Sequence, residues 1–249
     1  MGGNLRENPY IRRMETKSWA AVQAPADLPA EDFIDSGPKS TSVIVPIRSL
    51  GARHRQQIIA HLLDLDERDR YLRFGFIASD EHVVRYAEGL DFDRDEIFGI
   101  TNRKLALIAM AHLAYGPPEH RARCAEFGVS VAKAVRGRGY GARLFERAAM
   151  DARNNGVALM FIHALSENSA MLGIAHKAGA TLERHGSETE AFLRLAPPSL
   201  NSRITEILEE HLAQLDYRFK AQGRHWQQVL AAINTLSSNW PVGCNSRRN

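Results

Sequence analysis

Only two cysteines, Cys124 and Cys244, occur in 249 residues. They lie far apart and match no metal-ligand or redox spacing, so a disulfide scaffold is excluded and a reducing compartment is expected. No apolar run approaches the ~18 residues of a membrane-spanning helix, and no apolar h-region follows the charged start, so neither membrane nor secretory signal is expected. The location expected is cytoplasmic. One-signed charge is lacking too. The formal balance is +3, with Arg and Asp/Glu alternating, which leaves no basic stripe for nucleic acid. No His-Glu-x-x-His or other paired metal spacing appears, so no metal is implied. A Gly-x-Ser-x-Gly elbow and the Gly-Lys-Ser/Thr ending of a phosphate loop are also missing.

What is present is an apolar fraction of 44%, enough for one sizeable core with a helical appendage. Residues 1–40 mix polar residues and proline without period and read as a disordered arm. Val43–Ile47 opens the folded part as a strand, with Pro46 favouring a sheet edge. Ile58, Ile59, Leu62, Leu63 and Leu65 mark a helix, and a second runs from Ser79 or Asp80 as N-cap to Glu88. Three strands follow: Ile97–Ile100, Leu105–Tyr115 and Cys124–Val131. Then come a helix over 139–154 ending at Asn154-Asn155-Gly156, a strand over Val157–Ala164, a helix from Asn168 to Lys177 stopped by Gly179, and strands near 180–186 and 189–195. An antiparallel meander followed by a crossover helix implies a mixed α/β sheet. Past Pro198, Leu200, Ile204, Ile207, Leu208, Leu212 and Leu215 form one helical stripe, and Trp226, Val229, Leu230 and Ile233 a second. These read as a C-terminal helical hairpin on the domain or as a homodimer contact, and a partner-binding adaptor role through these helices is a further reading.

The most informative segment is Arg136-Gly137-Arg138-Gly139-Tyr140-Gly141, between the strand Phe127–Val131 and a helix carrying Leu144, Phe145, Ala148, Ala149 and Ala152 at three- and four-residue steps. Glycines at a helix start let several backbone N–H groups converge where the helix dipole is positive, which suits a pyrophosphate. Gly137-x-Gly139-x-x-Ala142 formally fits the dinucleotide fingerprint. That reading wants a carboxylate closing the next strand, and His163-Ala164 stands there instead. A tight glycine turn without a ligand is the plain alternative.

The same residues carry a resemblance. Arg136-x-x-Gly139-x-Gly141 resembles the Q/R-x-x-G-x-G/A loop of the GNAT superfamily of acyl-CoA-dependent N-acetyltransferases. The element order over residues 41–196 is similar to that family, as is the Asn-initiated helix from Asn168 ending in Lys177-x-Gly179. The resemblance implies an α/β fold with a mixed, mostly antiparallel GNAT-type sheet and flanking helices. It divides the chain into the arm 1–40, a transferase domain 41–196 and a helical extension 197–249. It implies acetyl-CoA as co-substrate. Val129, Ser130 and Val131 would hold the pantetheine arm and acetyl carbonyl through their backbones. Arg136, Gly137, Arg138, Gly139, Tyr140 and Gly141 would hold the pyrophosphate, and Asn168 would lie near the pantetheine or thiol end. Arg138, Arg143 and Arg147, along one side of the helix start, read as a solvated face or as candidates for the 3′-phosphate, with Arg138 and Arg143, in or next to the loop, the better placed.

Many family members place a tyrosine seven residues after that Asn, as general acid for the leaving thiolate. Position 175 is Ala, so His176 is the nearest replacement, against its reading as a surface helix histidine. Asn168-x-x-Met171-Leu172-x-x-Ala175-x-Lys177-x-Gly179, Tyr71-Leu72-Arg73-Phe74 and Leu90–Asp95 resemble the GNAT domain of bacterial protein-lysine acetyltransferases. In that group a glutamate at the place of Glu126 is thought to be the general base. Its plain reading is a solvated strand carboxylate, and His112 is a second candidate. The expected function is acetyl transfer to an amine, a protein lysine or a small amine, by direct attack. The alternative is a non-catalytic acyl-CoA sensor, motivated by the missing tyrosine.

Overall fold

The nine-residue run Leu107–Tyr115 is apolar at nearly every position and buried on both faces, the pattern of a central strand. In the computed structural model, which describes residues 45–116 and 124–197, it is β3 of a seven-stranded sheet. The strands are β1 (Arg48–Ser49), β2 (Glu96–Thr101), β3, β4 (Cys124–Val131), β5 (Leu159–Leu165), β6 (Thr181–His185) and β7 (Glu188–Arg194). Their order is β1-β2-β3-β4-β5-β7-β6. Every pairing is antiparallel except β4 with β5, so the sheet is mixed and mostly antiparallel, as expected.

Helices cover both faces. On one lie α1 (Arg55–Leu63), α2 (Glu67–Phe74) and α3 (Asp80–Glu88); on the other lie α4 (Tyr140–Asn154) and α5 (Ser169–Lys177). Caps set their ends. The Asp66 and Ser79 side chains accept from the backbone N–H groups of Asp69 and His82, starting α2 and α3. Gly75, at φ 78°, ends α2. Two cores result. Ile58, Leu62, Phe74, Val83, Tyr86, Ile97 and Met110 pack between the sheet and the first three helices. Phe127, Leu144, Phe145, Ala148, Met160 and Ile162 pack beneath α4 and α5, with the Phe127 and Phe145 rings edge to face at 5.0 Å.

Some expected boundaries move. The strand expected over Val43–Ile47 is replaced, within the described residues, by the two-residue β1 at the sheet edge, because Pro46 has no N–H to give to a ladder. β3 starts at Leu107 rather than Leu105. Leu105 sits at φ 59°, inside a turn where Asn102 Oδ1 accepts from the N–H groups of Lys104 and Ala106. The arm 1–40 and the helical stripes beyond residue 197 lie outside the described residues. Among the described residues no helix is long and apolar enough to cross a membrane.

Candidate active site

β4 and β5 pair in parallel only from Cys124↔Leu159 to Glu126↔Phe161. β3 stays with β4 as far as Val131↔Ala109. From Phe127 to Val131, therefore, β4 has one edge with no described strand against it. Backbone N–H and C=O groups on such an edge can receive an extended amide-bearing arm, as in strand addition. Glu126 marks the apex of the split and is 8% exposed.

The open edge leads into the glycine loop. Gly137 and Gly139 have φ of 75° and 77°, where an L side chain is strained, and nothing stands within 4 Å of the place a Cβ would take. Gly139 is the N-cap of the fifteen-residue α4, so the N–H groups of its first turn have no partner within the helix. At Gly141 a Cβ would meet Ile174 Cδ1 at 3.1 Å, and the missing side chain lets α4 approach α5. Together the edge and the cradle fit a ligand with a diphosphate joined to an amide-bearing arm.

Arg136 is committed elsewhere. Its Nε donates to the Val131 carbonyl at 3.2 Å, and its Nη2 forms an ion pair with the buried carboxylate of Asp69 on α2. Lys133 reaches Asp66 at 3.3 Å. Two ion pairs thus tie the loop to the start of α2, and α2 packs against both β4 and β5, roofing the split.

Beneath that roof, strand alternation turns Glu126, Gly128 and Ser130 to one face. A Cβ on Gly128 would lie 2.8 Å from the Arg73 guanidinium. Arg73 lies over the rings of Phe74 and Tyr86 and donates from Nη2 to the Tyr86 hydroxyl at 2.9 Å. The same hydroxyl is 2.8 Å from His112 Nδ1, and His112 Nε2 is 3.1 Å from Asp95 Oδ2. Since Arg73 is a donor only, the phenol gives its proton to Nδ1 and Nε2–H donates to Asp95. Burial raises the Tyr86 pKa, and the Glu126 and Asp95 charges add to the rise against the opposing Arg73. Burial pushes the Asp95 carboxyl up, but its bonds to His112 and Arg94 outweigh this and hold it below the ordinary value. Next along β4, Ser130 Oγ lies 2.9 Å from His61 Nε2 on α1, with both residues buried. Burial lowers the His61 pKa to about 4, so its imidazole is neutral at neutral pH.

The structure brings Glu126, Val129, Ser130, Val131 and the 136–141 loop to one continuous split, with Arg138 exposed at its mouth. Asn168 caps α5, its Oδ1 accepting from Met171 N at 3.2 Å. Ala175 is fully buried in the core, while His176 is exposed on the outer side of the helix, consistent with a surface histidine. Arg147 departs from expectation: it is 4% exposed, with its guanidinium 5.2 Å from the Phe98 ring centroid, inside the core rather than on the loop side. Both ring nitrogens of His112 are engaged, so it is a buried support. His61, Arg73, Tyr86 and Asp95 were not legible as site residues, because no spacing rule links positions on three helices and the turn before β2. The available signals were Gly128, since glycine inside a strand marks a close approach, and the resemblance carried by Tyr71–Phe74 and Leu90–Asp95, which contain Arg73 and Asp95.

Comparison with known proteins adds three findings. The family model described as "Acetyltransferase (GNAT) family" matches residues 56–180. Among solved structures, the GNAT domain of S. lividans PAT is similar at 21% identity and a TM-score of 0.53, covering 61% of this chain and 95% of that one. A ribosomal-protein-alanine N-acetyltransferase from Brucella melitensis is similar at 17% identity and a TM-score of 0.48, covering 60% and 99%. Comparison with curated proteins gives no match.

Proposed function

Because the chain belongs to the acetyltransferase (GNAT) family, we propose that it moves an acetyl group from acetyl-CoA directly to an amine, with a protein lysine as the acceptor to test first. The observation that carries this reading is the split itself. An open β4 edge joins a glycine cradle at one end and a buried glutamate at the other.

In this reading the loop N–H groups of 137–141, aided by Arg138, hold the diphosphate of CoA. The backbone of Val129–Val131 takes the pantetheine amides in the manner of an added strand. Laying the arm on a fixed edge presents the thioester in one orientation, which removes part of the entropy cost of bringing two reactants together. A backbone N–H of the same edge supports the carbonyl oxygen as negative charge gathers on it. Glu126 takes the proton that an ammonium must lose before its nitrogen can attack, directly or through one water. Arg136 serves the cofactor through Asp69 and the Val131 carbonyl by holding the loop against α2.

The test is a screen for CoA thiol release from acetyl-CoA with lysine-bearing proteins and small primary amines. Amine-dependent release supports the transferase. Tight acetyl-CoA binding without release in any mixture would instead favour an acyl-CoA sensor.

A further inference from the structure

We propose that Ser130 is a catalytic residue that carries a proton from the attacking nitrogen to the departing CoA sulfur, with His61 as its positioning residue. The inference rests on the transferase reading above and fills the place that Ala175 leaves without an acid.

Three observations converge on the pair. Ser130 lies within the open edge, so an arm leading from the glycine cradle towards Glu126 passes it on the way. Its side chain is on the same face as Glu126 and Gly128, the face where the amine's proton is to be removed. Its Oγ is fixed at 2.9 Å from a buried imidazole rather than left to rotate. The imidazole is itself held by α1 and lies against the Leu107 backbone. Both residues are buried, and a hydroxyl in such a place is worth more as a proton carrier than one facing water, which competes for its hydrogen bonds.

The step balances without a further reagent. After Glu126 has deprotonated the ammonium, the nitrogen lone pair forms the bond to the acetyl carbon. The carbon–sulfur bond breaks and its electron pair stays on sulfur. The new amide nitrogen still holds one proton too many. Ser130 Oγ accepts that proton on a lone pair and releases its own hydroxyl hydrogen to sulfur. The products are the N-acetyl amine and CoA thiol, the serine is unchanged, and Glu126 gives the ammonium proton to water as the products leave. With its Nε2–H donating to Oγ, the neutral His61 leaves the hydroxyl hydrogen free for sulfur and gains no net charge.

The experiment compares wild type, Ser130→Ala, Ser130→Thr and His61→Gln, using acetyl-CoA with the amine that gives the fastest thiol release in the screen. Acetyl-CoA affinity is measured separately by calorimetry. Ser130→Ala is expected to cut kcat by about a hundredfold at unchanged acetyl-CoA Kd, the usual contribution of a positioned proton transfer. Ser130→Thr, which keeps the hydroxyl, restores most of it. His61→Gln, which keeps a hydrogen-bonding group of similar reach, loses about tenfold. Ser130→Ala turning over within about twofold of wild type overturns the shuttle, as does Ser130→Thr as slow as Ser130→Ala. A Kd that weakens in step with kcat makes Ser130 a structural part of the edge and overturns it as well. A wild type that releases no thiol with any amine overturns the transferase reading and the shuttle with it.

Discussion

Glu126 occupies the last rung at which β4 still meets β5, so its backbone is flanked by strands on both sides at the point where the gap begins. A lysine amine is mostly protonated at neutral pH, and a base placed there does work that solvent does slowly. Glu126→Gln keeps the shape and removes the charge. Its acetyl-CoA Kd is expected to stay at the wild-type value while turnover at pH 7 falls roughly a hundredfold. The deficit shrinks at alkaline pH, where the amine arrives neutral. Normal turnover at pH 7 would move the base away from this strand. Two rungs on, Gly128 admits the Arg73 guanidinium, which a methyl group would meet at 2.8 Å. Gly128→Ala is expected to lower unfolding stability by about 1–3 kcal/mol. Most of that cost should vanish in an Arg73→Ala background, because the clash needs both partners. Additive losses in a urea double-mutant cycle would show that the glycine matters for its backbone alone. The candidacy of Glu126 was readable from strand position and resemblance. Its neighbours were not, since a glycine in a strand announces a close approach without naming the side chain that comes near.

At the scale of elements, the loop and α4 act as one unit. Gly139, at φ 77°, is the N-cap of the helix, and nothing stands within 4 Å of the place its Cβ would take. Gly139→Glu imposes a strained backbone and places a negative charge where the diphosphate is proposed to bind. Circular dichroism should show an intact fold and calorimetry at least a tenfold loss of acetyl-CoA affinity, the equivalent of about 1.4 kcal/mol. Unchanged affinity would place the cofactor elsewhere. This element was legible from end to end, because glycine spacing, apolar periodicity and the Asn-Asn-Gly stop are all local signals. α2 was far less so. It is a short, highly charged helix, and what makes it part of the site is contact across the chain: Asp69 to Arg136, Asp66 to Lys133 and Arg73 over Gly128. The same limit explains Arg147, which shares a helix side with Arg143 in sequence but turns onto the Phe98 ring.

Over the whole molecule, the buried polar groups make stability depend on pH. His61 has a native pKa of about 4 against 6.5 for an ordinary histidine, with burial the main cause, the Arg73 charge adding to it and the Asp64 charge opposing it. Between those values the unfolded chain binds a proton that the native state does not. Stability therefore falls on acidification from pH 6.5 to 4, by on the order of 3 kcal/mol from this one group, and the penalty is absent above pH 6.5. Urea unfolding at pH 7 and pH 4.5 should show His61→Gln losing less stability on acidification than wild type. Equal losses would mean that the native imidazole titrates normally. Elsewhere the division between sequence and structure follows the range of the forces involved. Strand alternation, helix periodicity, caps and the glycine loop act within a few residues, so the order of elements, the mixed sheet and the cradle were determined by the sequence read locally. The parting of β4 from β5 after Glu126, the chain Asp95–His112–Tyr86–Arg73 and the pairing of Ser130 with His61 join residues that are distant in sequence. Only packing of the first three helices against the sheet brings them within hydrogen-bond reach, and only the tertiary structure decided them.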